Sequence, residues 1–138
     1  MSQLQRLTLN PSQAPKPIGA YSMVSRVKMS EMVFVAGQVS LDNEGNLVGR
    51  GDPGAQVRQV YQNIGLVLEG VGASFENIVE MTTCLTSAEF IEPFYNARQE
   101  FFKEVYPNGD FPPNTIMVIS ELVRKEFLVE ISAIAALP

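Results

Sequence analysis

Between positions 57 and 68 the apolar residues Val57, Val60, Tyr61, Ile64, Val67 and Leu68 recur at intervals of three and four, the signature of a helix with one buried stripe. Asp52 and Pro53 supply an N-cap and a proline for the first helical position, and Gly70 and Gly72 follow the stripe, so the spacing predicts a helix over 53–71. A second stripe, Phe90, Phe94, Ala97 and Phe101 with Tyr95, Phe102 and Val105 beside it, predicts a helix that ends before Pro107. Both stripes read most simply as core packing. Elsewhere the period shortens to that of strands. Met23, Ser25, Val27 and Met29 alternate with their neighbours, residues 32–39 are apolar and β-branched, and the short stretch 28–31 between them can turn, which predicts a hairpin. Residues 78–85 read as a strand, and 115–121 and 126–136 as two more joined by 122–125. Three prolines within positions 11–17 exclude a helix from the segment 11–20, which is expected to be an extended loop. With a strand at 4–9 the order is β-β-β-α-β-α-β-β, an α+β domain with a mixed sheet and two helices on one face.

The strand patterns carry a second message. Residues 33–36 and 116–119 are apolar at every position, so both faces of the sheet are apolar there. Two helices cover one face, and no further element remains for the other. Exposed apolar surface is disfavoured by about 25 cal/mol per Å², so a homo-oligomer that buries this face is expected. Its symmetry does not follow from the pattern.

Composition narrows the chemistry. A chain of 138 residues, 46% hydrophobic and 18% charged, is expected to form one domain over 1–138 with a substantial core. No apolar run approaches the roughly 18 residues of a membrane span, and the first six residues lack the basic, apolar start of a secretory signal, so a cytoplasmic location without membrane contact is expected. There is no histidine, which removes the commonest metal ligand and the usual base near neutral pH. Acid-base work falls to carboxylates, Tyr, Lys or water. Cys84 is the single cysteine, so no internal disulfide forms; it reads as a small buried hydrophobe. A net charge of −5 with scattered basic residues, Arg124-Lys125 the one adjacent pair, argues against a nucleic-acid partner.

Four ordered segments carry a family resemblance. They are Ala14-Pro15-Lys16-Pro17-Ile18-Gly19-Ala20-Tyr21-Ser22; Val33-Phe34-Val35-Ala36-Gly37-Gln38-Val39; Gln59 and Asn63 leading to Val71-Gly72-Ala73-Ser74; and Phe111-Pro112-Pro113-Asn114-Thr115 followed by Leu128-Val129-Glu130-Ile131-Ser132-Ala133-Ile134-Ala135. Each is weak alone, but in this order and spacing, over about residues 10–136, the chain resembles the reactive-intermediate deaminase family (Rid, YjgF-like). The resemblance implies a chorismate-mutase-like subunit, a homotrimer whose sheets form a central barrel, and small-molecule clefts between subunits. It implies hydrolysis of enamine and imine metabolites to carbonyl product and ammonia, with no metal or organic cofactor. By the family's pattern, Glu130 is the catalytic carboxylate that positions or activates water, while Tyr21, Ala36, Gly37 and Asn114 fall at substrate-binding positions.

Two of these depart from the pattern: Ala36 stands where a serine is common, and Asn114 where catalytic members carry an arginine, so the chain resembles a subfamily lacking that residue. A guanidinium grips a carboxylate with two charge-assisted hydrogen bonds, each worth about 1.5–3 kcal/mol, whereas a carboxamide offers neutral donors from one nitrogen. Recognition of a standard 2-imino acid then needs another cation, such as Arg98 or Arg124 supplied across the interface. Plainer readings stand beside these. Glu130 is an ordinary carboxylate at a solvated edge, Tyr21 a packing residue, Gly37 a bulge or close approach, and Asn114 a turn residue satisfying backbone donors. At the level of function, a non-catalytic trimer binding a metabolite or protein in the same cleft is the alternative, and ribonuclease activity a third reading.

Overall fold

The structure, a computed structural model, describes residues 4–138. Asp52 does at the first helix what its place before Pro53 requires. Its carboxylate accepts the Ala55 N–H, proline takes the first helical position, and α1 runs Pro53–Glu69 with Gly70 as its cap. The second helix, α2, runs Ile91–Val105 and stops two residues before Pro107. Six strands complete the fold: β1 (Gln5–Leu9), β2 (Val24–Lys28), β3 (Glu31–Gln38), β4 (Ile78–Leu85), β5 (Asn114–Val118) and β6 (Val129–Leu137). The element order is the expected one, and residues 11–20 form neither helix nor strand.

Strand pairing departs from the expectation in two places. No β2–β3 hairpin forms: β2 pairs antiparallel with β1 in a separate two-stranded ribbon, and β3 pairs with β6. Alternation tells which face a residue takes, and it does not name the partner strand. The last two strands are also shorter than expected and do not form a hairpin. Between them lies the irregular stretch 119–128, and β4 intervenes in the main sheet, whose order is β3-β6-β4-β5. β4 and β5 are parallel, which α2 makes possible as the crossover between them.

Both helices lie on one face. Val57, Val60, Tyr61, Ile64 and Leu68 of α1 and Phe94, Ala97 and Phe102 of α2 are buried against Met81, Leu85, Val129, Ile131, Ala133 and Ala135 of the sheet. Between the helices Tyr61 stacks on Phe101, with ring centroids 5.2 Å apart. On the opposite face Phe34 is 71% exposed, Met32 47% and Met117 44%. The uncovered apolar face read from the sequence is present. Among the described residues no helix is long and apolar enough to cross a membrane.

Candidate functional site

Gly37 and Glu130 meet on the open face. Strand β3 carries an extra residue between Val35, opposite Ala133, and Gln38, opposite Ile131, and the bulge falls at Ala36-Gly37. A Cβ on Gly37 would stand 2.7 Å from Glu130 Cδ and 3.0 Å from Oε1, so the carboxylate lies directly over the glycine backbone. Both structural readings of Gly37, bulge and close approach, hold at once. Glu130 is half-buried on β6, an interior strand between β3 and β4, so it is not an edge carboxylate. Ala36 is exposed beside it, and its carbonyl accepts the Gln38 Nε2 amide at 3.0 Å. Behind the bulge, Asn63 Nδ2 donates to the carbonyls of Val39 and Leu41 at 3.0 and 2.9 Å, which ties the exit of β3 to α1.

Cys84 is Glu130's cross-strand neighbour. It is half-buried on the open face and not in the core, against the sequence expectation, because the residues that alternate into the core are Thr83 and Leu85. Burial pushes its thiol pKa up, and the Glu130 charge adds to that shift.

A second cluster forms at the far edge of the sheet. Ile18 and Tyr21 from the proline-rich loop, Ile91 and Tyr95 from α2, and Asn114, Ile116 and Val118 from β5 line a cleft of about 320 Å³. The loop closes on itself, with Ile18 N–H donating to the Tyr21 hydroxyl at 3.3 Å. The hydrogen-bond network fixes the Asn114 carboxamide. With its oxygen toward α2, Oδ1 accepts from Arg98 Nη1 at 3.3 Å, and Nδ2 donates to the Met81 carbonyl at 3.2 Å and to Thr83 Oγ1 at 2.9 Å. Arg98 is 2% exposed and stacks on the rings of Phe94 and Tyr95, at 4.9 and 5.1 Å. Burial lowers its pKa, with the Tyr61, Tyr95 and Tyr21 hydroxyls opposing the shift.

The residues singled out from sequence therefore fall into two groups: Ala36, Gly37 and Glu130 in one, Tyr21 and Asn114 in the other. A single chain does not bring them together. Asn114 is in register with Met81 and bonds Thr83, both facing the helices, whereas Glu130 is in register with Cys84, which faces away. Successive strand residues point to opposite faces, so Glu130 and Asn114 lie on opposite sides of the sheet. Of the two replacement cations, Arg98 meets Asn114 from within the same chain rather than across an interface. Arg124 lies elsewhere, over the Phe127 ring at 5.4 Å. Tyr95, Ile91, Ile116 and Val118 were not singled out as site residues. The one local signal for Tyr95 and Arg98 is their spacing of three, which puts a ring and a guanidinium on one helix face.

A family model described as Endoribonuclease L-PSP matches residues 11–137. A RutC family protein of Pyrococcus abyssi is 33% identical over 123 residues, covering 89% of this chain and 91% of that protein. A rat 2-iminobutanoate/2-iminopropanoate deaminase is 29% identical over 135 residues, covering 98% and 93%. Among solved structures, a protein of the Rid family from Yersinia pestis, YyfB, superposes with a TM-score of 0.85 at 27% identity, covering 96% of this chain and 98% of that one. TdcF of E. coli, solved with bound serine, superposes with a TM-score of 0.71 at 25% identity, covering 96% and 99%.

Proposed function

The chain belongs to the Endoribonuclease L-PSP (YjgF/Rid) family, and from that premise we propose that it is a cofactor-free enamine/imine deaminase that works as a homotrimer. The observation that carries this reading is the Glu130 carboxylate seated over the Cβ-less backbone of Gly37. A carboxylate held in one place beside an open face is suited to orient a water molecule and take its proton. Water adds to the carbon of a C=N bond while Glu130 takes one of its protons and passes it to nitrogen, giving a carbinolamine; Glu130 then takes the hydroxyl proton and gives it to nitrogen as the C=O bond forms and the C–N bond breaks. The products are a carbonyl compound and ammonia.

The division of the site supports an assembly between copies. The Gly37 half lies at the β3 end of the sheet and the Asn114 half at the β5 edge. Placing the first half of one copy against the second half of the next is a head-to-tail contact, which closes into a ring when the rotation allows. The ring is a trimer by the family's pattern, with Tyr21 and Asn114 walling a cleft that the neighbour's Glu130 completes. The relatives named as imine deaminases, and the TdcF structure with its bound amino acid, favour a small carboxylate-bearing ligand. The family description names a ribonuclease. A chain of net charge −5 without histidine gives that reading little chemistry to work with.

The test is to generate 2-iminobutanoate and 2-iminopropanoate in situ with semicarbazide present. The protein is expected to divert both from semicarbazone to keto acid, and Glu130→Gln to lower that rate by about 10²-fold or more. No rate above a heat-treated control removes the deaminase reading in favour of a binding protein, and an undiminished Glu130→Gln variant removes Glu130 from the mechanism.

A further inference from the structure

The first 30 residues hold four of the ten basic residues and no carboxylate, while all fifteen carboxylates lie between Glu31 and Glu130. The fold gathers part of that positive charge. β1 and β2 pair antiparallel, so Gln5 stands opposite Lys28 and Leu7 opposite Arg26, although the loop that carries Tyr21 separates the two strands in sequence. All four side chains are exposed on one face of the ribbon, with Arg26 and Lys28 two positions apart, about 7 Å along the strand. With Arg6 and Val27 they line a cavity of about 370 Å³, within the range of small-molecule sites, about 300–1,000 Å³. None of these lining residues is acidic.

The charges there are uncompensated. The one ion pair among the described residues is Lys103–Glu100 on α2, so neither Arg26 nor Lys28 is paired with a carboxylate. Like charges at that spacing lie within the screening length of about 8 Å at physiological ionic strength, and they repel until an anion sits between them. Arg6 plays a different part. Its Nε and Nη2 donate to the carbonyls of Glu76 and Asp110 at 3.0 Å each and its Nη1 is buried, so it adds fixed charge and leaves direct contact to Arg26 and Lys28.

The geometry points to a second ligand site, on the outer face of the β1–β2 ribbon, for the phosphate group of a small phosphate monoester or diphosphate. The donor set fits that group. A guanidinium presents a planar fork that matches two phosphate oxygens, an ammonium adds a point charge beside it, and the Gln5 carboxamide offers neutral donors across the ribbon. Two exposed cations with a third fixed nearby suit a multiply charged anion better than the single charge of a monocarboxylate. Leu7, 49% exposed, and Val27 leave apolar surface in the same cavity for the organic part of the ligand. Neither Arg26 nor Lys28 lines the cleft of Tyr21 and Asn114, so the site stands apart from the deaminase reading.

The experiment measures binding of AMP, inorganic pyrophosphate, adenosine and acetate to the intact oligomer by calorimetry at low ionic strength. AMP and pyrophosphate are expected to bind, and adenosine and acetate to give no heat of binding. The Arg26→Gln/Lys28→Gln double variant is expected to lose about 10-fold or more in affinity for both anions, the scale of one charge-assisted hydrogen bond, with imine hydrolysis and melting temperature kept. Arg26→Lys, which keeps the charge and loses the fork, retains part of the affinity. Arg124→Gln/Lys125→Gln removes two charges elsewhere and is expected to bind as the wild type does. A control that loses as much affinity as the ribbon variant reduces the effect to net charge and overturns the site, as does a ribbon variant that binds AMP unchanged. Binding confined to phosphatidic acid vesicles or to a single-stranded RNA overturns the small-molecule reading. A wild type that binds neither AMP nor pyrophosphate overturns it too, and a changed oligomer mass in the ribbon variant then assigns Arg26 and Lys28 to a contact between copies.

Discussion

At Gly37 the physics reduces to one absent carbon. A Cβ would sit 2.7 Å from Glu130 Cδ, inside any tolerable contact, yet the atoms it would strike belong to the far end of a flexible side chain. The least costly relaxation of Gly37→Ala is for Glu130 to swing off the bulge, at about 0.5–1.5 kcal/mol if it leaves a favoured rotamer. The variant is therefore expected to melt within about 5 °C of the wild type. Its imine hydrolysis should fall by about 10²-fold, the scale of a misplacement of about 1 Å. A variant with normal turnover but a collapsed melting temperature would make Gly37 a folding residue only. The sequence showed that this glycine precedes a strand's end and that Glu130 alternates along another strand, and nothing in either pattern put the two in contact. Asn114 was legible as a departure from a family pattern, but the exhaustion of its hydrogen bonds was not, because Met81, Thr83 and Arg98 reach it through tertiary contact. An arginine at 114 would set its charge against Arg98, so the residue types at 98 and 114 are coupled through this contact.

The elements were legible where local pattern decides them and illegible where distant partners do. Caps and stripes placed α1 and α2 within one or two residues, since Asp52, Pro53, Gly70 and Pro107 act on their own neighbourhoods. The β2–β3 hairpin failed because the ladder of β3 is completed by β6, about a hundred residues away, to which even Ser30 contributes through its N–H on the Leu137 carbonyl at 2.9 Å. Gln56 shows the same limit inside a helix. It is fully buried in the first turn of α1. Its Nε2 donates to the carbonyls of Gly49 and Glu126 at 3.1 and 2.9 Å, and its Oε1 accepts the Leu128 N–H at 2.9 Å. One amide thus ties the helix start to the segment that leads into β6 and hence to Glu130. Gln56→Leu leaves three backbone groups without that partner, and the expected loss is about 2–4 kcal/mol. Urea unfolding reads it as a lower midpoint at unchanged slope. A loss under about 0.5 kcal/mol would mean that water replaces the amide at no cost.

For the whole molecule, apolar residues on both faces of β3 and β5 were enough to predict a face that the chain cannot cover, and Phe34, Met32 and Met117 stand on it. Pattern alone gave no symmetry, and none follows from one chain. The constraint instead comes from the division of the site, because Glu130 and Asn114 on opposite faces cannot act on one ligand unless copies share a cleft. Phe34 is the residue to use, being 71% exposed, paired across the ladder with Ile134, and remote in function from both halves of the site. Its substitution leaves the helix-side core, built on Val35, Ile131 and Ala133, untouched. Phe34→Asp places a carboxylate on the surface proposed to be buried, where an unpaired charge is strongly disfavoured. Light scattering should give about three times the 15.2 kDa chain mass for the wild type and about the single-chain mass for the variant, with the circular dichroism of the fold retained. Imine hydrolysis should disappear with the oligomer, since each isolated chain keeps both half-sites but joins neither to its complement. A folded monomer that still hydrolyses imines would show that one chain suffices, and would overturn the shared cleft along with the roles drawn from it.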